Sequence, residues 1–237
     1  IHSSEEFGIK SEGLSCKGYE KFFKKVDSLS DFNQGMIYFY DINSKQDFSK
    51  AIEHFEISAK KNHPGALFHL GYIYSCGFGV KKDYLKAKEY YELSAKQSDQ
   101  YAFYNLGIMY YNGYGVKQDY LKAKELFEMS AKSKNKYALL NLGKIYQNNY
   151  QNYEKAINYF EQSASLNCSD AFNCLGKLYL IGQGVIQDSS RAKEYFELSA
   201  QLNNSDALLN LGILYQKGMG VEKDYLKAKE YFEKSSK

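Results

Sequence analysis

The chain has 237 residues, 44% hydrophobic and 25% charged, proportions that exclude a disordered tail and a collagen-like fibre. Its 31 lysines and arginines against 28 aspartates and glutamates leave a formal charge of +3, too small an excess to argue for nucleic acid or an anionic membrane. One proline, no tryptophan and 24 tyrosines lean the reading towards helices, since all-β folds usually spend proline on turns.

No run of about 18 apolar residues occurs, so no membrane insertion is expected. Residues 1–29 carry no repeat pattern, and Ile1–Lys10 has no apolar core of a signal peptide.

From residue 30 to 237 the chain repeats itself. A degenerate first copy holds Gly35, Tyr38, Asp47, Lys50, Ala51, Phe55 and Ala59. The first clear copy reads Ala66, Leu70, Gly71, Tyr74. These return as Ala102, Leu106, Gly107, Tyr110, then Ala138, Leu142, Gly143, Tyr146, then Ala171, Leu175, Gly176, Tyr179. The last copy is Ala207, Leu211, Gly212, Tyr215. Successive steps are 36, 36, 33 and 36 residues. A second line runs in phase: Asp83-Tyr84-Leu85-Lys86-Ala87 recurs at Asp119 and at Asp224, with weaker copies at Lys155-Ala156 and Arg191-Ala192.

Each unit reads as two helices. Alanine, leucine and tyrosine at offsets of four share one stripe of a first helix, A. Gly77 and Gly79 end that helix, and their counterparts end the later ones, because a helix C-terminus favours the left-handed conformation. Asp83 accepts from the free amides that open the second helix, B. Ala87, Tyr91 and Ala95 form the buried stripe of helix B, and Lys86, Lys88, Glu89 and Glu92 stay outside. Gly71 costs about 1 kcal/mol against alanine inside a helix, so close approach of helix B is the expected compensation. The third copy replaces its glycine loop with Gln147–Asn152 and is three residues shorter, which predicts a tighter turn. A single helix pair cannot bury its apolar stripe, whereas stacked copies can. The expected fold is all-α: a right-handed α–α superhelical solenoid of about five to six helix–turn–helix repeats over 30–237, preceded by a non-repeat segment over 1–29. Within that segment Tyr19–Val26 is expected to form a helix that covers the open face of the first repeat.

The joint pattern of Ala-x-x-x-Leu-Gly-x-x-Tyr, Gly-x-Gly-Val, Asp, Lys-Ala, Tyr-Tyr and Ser-Ala resembles the SEL-1-like repeat, a relative of the tetratricopeptide repeat. The resemblance covers about 30–237. It implies protein binding by a scaffold or adaptor, with the A helices lining a concave face. A secreted bacterial group in that family bridges each helix pair with paired cysteines. Cys16, Cys76, Cys168 and Cys174 fall at irregular spacings, so that property does not carry over, and a cytoplasmic location is expected. The alternative is a luminal or membrane-tethered adaptor of protein quality control in the endoplasmic reticulum. The acceptor patterns at Asn167-Cys168-Ser169 and Asn203-Asn204-Ser205 would matter only there.

Catalytic chemistry finds little support. The recurrent Gly-x-Gly turns close a helix and lack the Gly-Lys-Ser/Thr ending, so they read as caps rather than phosphate loops. His2, His54, His63 and His69 make no convergent ligand set. No nucleophile has a recognisable partner. The reading is a non-enzyme without metal or cofactor, binding a protein or peptide and no nucleic acid.

By analogy with tetratricopeptide repeats, A-helix positions outside the Ala/Leu/Gly/Tyr stripe face the groove. The candidates are Tyr104, Asn105, Ile108, Tyr111, Asn141, Lys144, Lys177, Asn210, Ile213 and Lys217. They include lysines and no acid. Amides there suit a peptide backbone, since each offers a donor and an acceptor. The lysines favour acids on the bound segment. The competing reading is that asparagine one residue before Leu-Gly serves helix A alone.

Overall fold

The structure, a computed structural model, describes residues 31–40 and 46–236. The helix expected over Tyr19–Val26 lies outside them. Among the described residues there are twelve helices and no strand. They pair as α1 (Asp31–Tyr40) with α2 (Phe48–Lys60), α3 (Pro64–Cys76) with α4 (Tyr84–Ala95), and α5 (Gln100–Asn112) with α6 (Tyr120–Ala131). The later pairs are α7 (Lys136–Asn148) with α8 (Tyr153–Ser165), α9 (Ser169–Ile181) with α10 (Ser189–Gln201), and α11 (Ser205–Lys217) with α12 (Tyr225–Ser235). Odd-numbered helices are A helices and even-numbered ones are B helices. The chain divides into two compact units, residues 1–130 and 131–237.

Local chemistry sets the boundaries. Asp83, Asp119, Asp188 and Asp224 each accept a hydrogen bond from the backbone amide three residues on, at 2.9–3.0 Å, capping the B helices as their position implied. The A helices stop at Gly77, Gly113, Gly182 and Gly218, all in the left-handed region. The amide of each capping aspartate then reaches back to the tyrosine carbonyl of helix A, as Asp83 does to Tyr74 at 2.9 Å. In the shortened copy Asn152 donates to Tyr146 across a smaller span, also at 2.9 Å. The turn is tighter, and the closing bond survives.

Helix A presses directly on helix B in every pair. A Cβ placed on Gly71 would fall 2.7 Å from the Tyr91 ring, and one on Gly107 would fall 2.6 Å from Phe127. Gly176 meets Phe196 at 2.5 Å, and Gly143 and Gly212 stand in the same relation to Phe160 and Phe232. Even a methyl group has no room there. Tyr91, Phe127, Phe160 and Phe196 are fully buried as a result, each supplying roughly 1.5–3 kcal/mol of apolar transfer energy, more than the glycine costs its helix.

Two further ties recur. Serine near the end of helix B is buried and donates to the first-turn carbonyl of its own helix A. Ser94 bonds Pro64, Ser130 bonds Gln100, Ser163 bonds Lys136 and Ser199 bonds Ser169, all at 2.7–2.9 Å. Tyr74, Tyr146, Tyr179 and Tyr215 stack on Tyr90, Tyr159, Tyr195 and Tyr231 with centroids 5.4–5.8 Å apart. A cation from helix B also approaches each of these helix A rings: Lys86, Lys155, Arg191 and Lys227, at 4.0–5.3 Å from the centroid. This cation–π contact explains why a base precedes the alanine of helix B in each of these copies.

Replacing Gly107 with valine forces two methyl groups into the Phe127 ring. The expected loss is about 1–3 kcal/mol from overpacking, read as a lower urea midpoint. An unchanged midpoint would show that the two helices are not in contact there.

Candidate functional site

The groove candidates occupy five positions of helix A, and these behave differently. Tyr104 is 5% exposed, Asn105 0%, Ile108 6% and Asn141 8%. The expectation that these side chains stand clear of the buried stripe therefore fails. The reason is that middle A helices are covered almost all round, and residues 104–109 form an unbroken buried run. Tyr104 turns towards its own helix B, its ring 5.8 Å from that of Phe127. Tyr111 does likewise, 5.3 Å from Tyr120 and half-buried.

The asparagines serve different ends. The Asn105 amide lies beside the Tyr91 hydroxyl but makes no hydrogen bond of normal geometry. Asn141 donates to its own helix at the Tyr137 carbonyl, 2.9 Å away. Asn210 reaches across to α9 and donates to Asn173 Oδ1 at 2.8 Å. The three asparagines thus do not form one exposed row. The Asn173–Asn210 bond escaped the sequence reading, because Asn173 sits where other copies carry Phe68, Tyr104 and Leu140.

The remaining candidates lie in the second unit, where Lys177 and Lys217 are exposed and Lys144, Asn210 and Ile213 are half-buried. Burial pushes the Cys174 thiol up to about 11. Lys144 on α7 and Lys177 on α9 both lie within electrostatic range and oppose that shift. Asp170 also faces Cys174, but it accepts from Asn204 Nδ2 at 2.6 Å. Among the described residues no group of three histidine, cysteine or acidic side chains could hold a metal, and no helix is long and apolar enough to cross a membrane.

In α3 the equivalent A-helix position is His69. It is buried among the rings of Phe39, Phe55 and Phe68, at 5.1–5.8 Å. Its Nδ1 donates to the Gly65 carbonyl at 2.7 Å. Burial holds its pKa down at about 4, against 6.5 when solvated. The unfolded chain therefore binds a proton that the folded chain excludes. Stability is lost as pH falls from 6.5 towards 4, by an amount on the order of 3 kcal/mol. Urea midpoints of the His69→Gln variant should fall less steeply across that window than those of the parent. Equal slopes would show that His69 is already protonated in the fold.

These features meet their counterparts in known proteins. The Sel1 repeat model matches six times, at residues 30–63, 64–99, 101–135, 136–168, 175–204 and 205–237. None of the curated proteins matches significantly. The Sel1 repeat protein of Oxalobacter formigenes shares 28% identity over 92% of each chain, with a TM-score of 0.82. The protective antigen c5321 of uropathogenic Escherichia coli, which displays an SLR fold, shares 25% identity and a TM-score of 0.74. The alignment spans 98% of this chain and 56% of that protein. Immunity protein Pa5087 of Pseudomonas aeruginosa, at 21% identity over 92% of this chain and 85% of its own, with a TM-score of 0.59, shares the fold. With the matched repeats running across most of its length, the chain is an all-α helical-repeat protein of the Sel1 repeat family.

Proposed function

We propose that the chain is a non-enzymatic interaction scaffold whose second unit binds an extended, acidic segment of a partner protein. The observation that carries this is that Lys144 on α7 and Lys177 on α9 share one helical position on successive A helices, both within electrostatic range of Cys174. Lys217 stands exposed on α11. None of the three lysines makes an ion pair among the bridges described. Those pairs join B-helix partners such as Lys193 and Glu197, leaving the A-helix ammonium groups to meet charge from outside. Carboxylates on the partner would make charge-assisted bonds to them. Half-buried Asn210 and Ile213 add amide and apolar contact. Tyr104, Asn105, Ile108 and Asn141 belong to the packed interior of the A helices rather than to this surface. A cytoplasmic location is the companion reading, resting on the irregular cysteine spacing.

Panning a random twelve-residue peptide library against the chain should enrich sequences rich in aspartate and glutamate. For an enriched peptide, Lys144→Gln with Lys177→Gln should weaken binding by about 1–3 kcal/mol and leave the melting temperature nearly unchanged, since Lys177 is exposed, Lys144 only half-buried, and neither is in the ion pairs of the fold. Enrichment of neutral peptides, or affinity indifferent to both changes, would contradict the reading.

A further inference from the structure

The B helices of the first unit carry a pattern on their outer side that the packing of the fold does not use. Glu53, Ile57 and Lys60 fall at i, i+4 and i+7 of α2 and so share one stripe. Glu89, Leu93 and Lys96 repeat that stripe on α4, and Glu125 and Met129 repeat its first two places on α6. All eight side chains are exposed, and Ile57, Leu93 and Met129 are each 42% exposed. The repeats are held in register at both ends of these helices. Gln97, after α4, donates to the Asn62 carbonyl after α2 at 2.6 Å, and Gly79 and Gly115 lie on Phe48 and Tyr84 at the helix starts. Equivalent positions on stacked repeats therefore form lines: one of acids, one of apolar side chains, one of bases.

Single exposed apolar residues are ordinary on a protein surface, but three in register between lines of opposite charge are a pattern. The repeat itself does not impose it. In the second unit the same places hold Asn158, Gln162 and Ser165 on α8, and Gln201 stands at the basic place on α10. The glutamates beside the apolar row are engaged within their own helices, Glu92 by Lys88 at 2.7 Å and Glu128 by Lys124 at 3.5 Å. Glu125 meets Lys122 at 3.3 Å. Among the described residues, Glu53, Glu89, Lys60 and Lys96 enter no ion pair.

This pattern is complementary to itself. A two-fold axis laid along the apolar row brings the acid line of one copy over the base line of the other, and each apolar side chain over its own counterpart. A two-fold axis in the surface at right angles to the row would set acid on acid. We infer that this face is a self-association surface whose occupant is a second copy of the chain, related by the axis along the row. Glu53 of each copy faces Lys60 of the other, and Glu89 faces Lys96. The charges fix the orientation, and Ile57, Leu93 and Met129 supply the apolar centre of the contact. With only three apolar side chains at its centre the contact is small, so the dimer forms with concentration rather than being obligate. This inference is independent of the lysine surface on the A helices.

Sedimentation velocity of the full chain, over a roughly hundredfold range of concentration, tests it. The weight-average sedimentation coefficient should climb towards that of a dimer. Glu89→Lys alone and Lys96→Glu alone each set like charges against one another twice in the dimer, and each should weaken association by roughly tenfold or more. An equimolar mixture of the two variants should recover the association of the parent, because in the mixed dimer every 89–96 pair is again of opposite sign. That recovery also shows that both variants are folded. Leu93→Asp should leave a monomer. A sedimentation coefficient that stays at the monomer value for the parent would overturn the inference. So would association that the single charge reversals leave unchanged, or a mixture that associates no better than its separate components.

Discussion

Everything in this chain depends on one close contact, a glycine of helix A lying flat against an aromatic ring of helix B. The contact is costly on one side, because glycine weakens a helix by about 1 kcal/mol. It is productive on the other, because the missing side chain lets Tyr91, Phe127, Phe160 or Phe196 bury completely. Once the two backbones are that close, the serine of helix B can reach the first-turn carbonyl of helix A. The tyrosine of helix A likewise meets both a tyrosine and a cation from helix B. The conspicuous letters of the repeat are consequences of one interhelical distance.

The same geometry explains where function can reside. A helices between two B helices lose most of their surface to packing, so Asn105 and Ile108 are consumed by the fold despite their polar or exposed-looking pattern. What remains outside are the longer side chains, among them the lysines of α7, α9 and α11. A protein built this way recognises partners through what the packing leaves over.

The helix pairs, their caps and the glycine contact were legible in the sequence because they recur in register, and periodicity reports burial directly. Asp83, Gly77 and Gly71 have local roles that follow from their neighbours in the chain. The groove was much less legible. Whether the residue before Leu-Gly faces solvent depends on what stacks over it, and that is set by residues some 36 positions away. Hence Asn141 bonds its own helix, while Asn210 bonds Asn173 on another. The buried serines could have been found, since Ser-Ala closes every B helix but the last. Their role was hidden because serine at a helix end ordinarily reads as a surface residue.

The central claim is that glycine and ring are one energetic unit, and a double-mutant cycle at Gly176 and Phe196 addresses it most directly. Gly176→Ala, Phe196→Ala and the double variant would be compared by urea unfolding. The account predicts strong coupling: the alanine at 176 destabilises the parent by about 1–3 kcal/mol, yet in the Phe196→Ala background it is neutral or stabilising, because the added methyl then has space and the helix prefers alanine. Additive effects would mean that the glycine is present for another reason, and that the ring does not set the spacing of the helices.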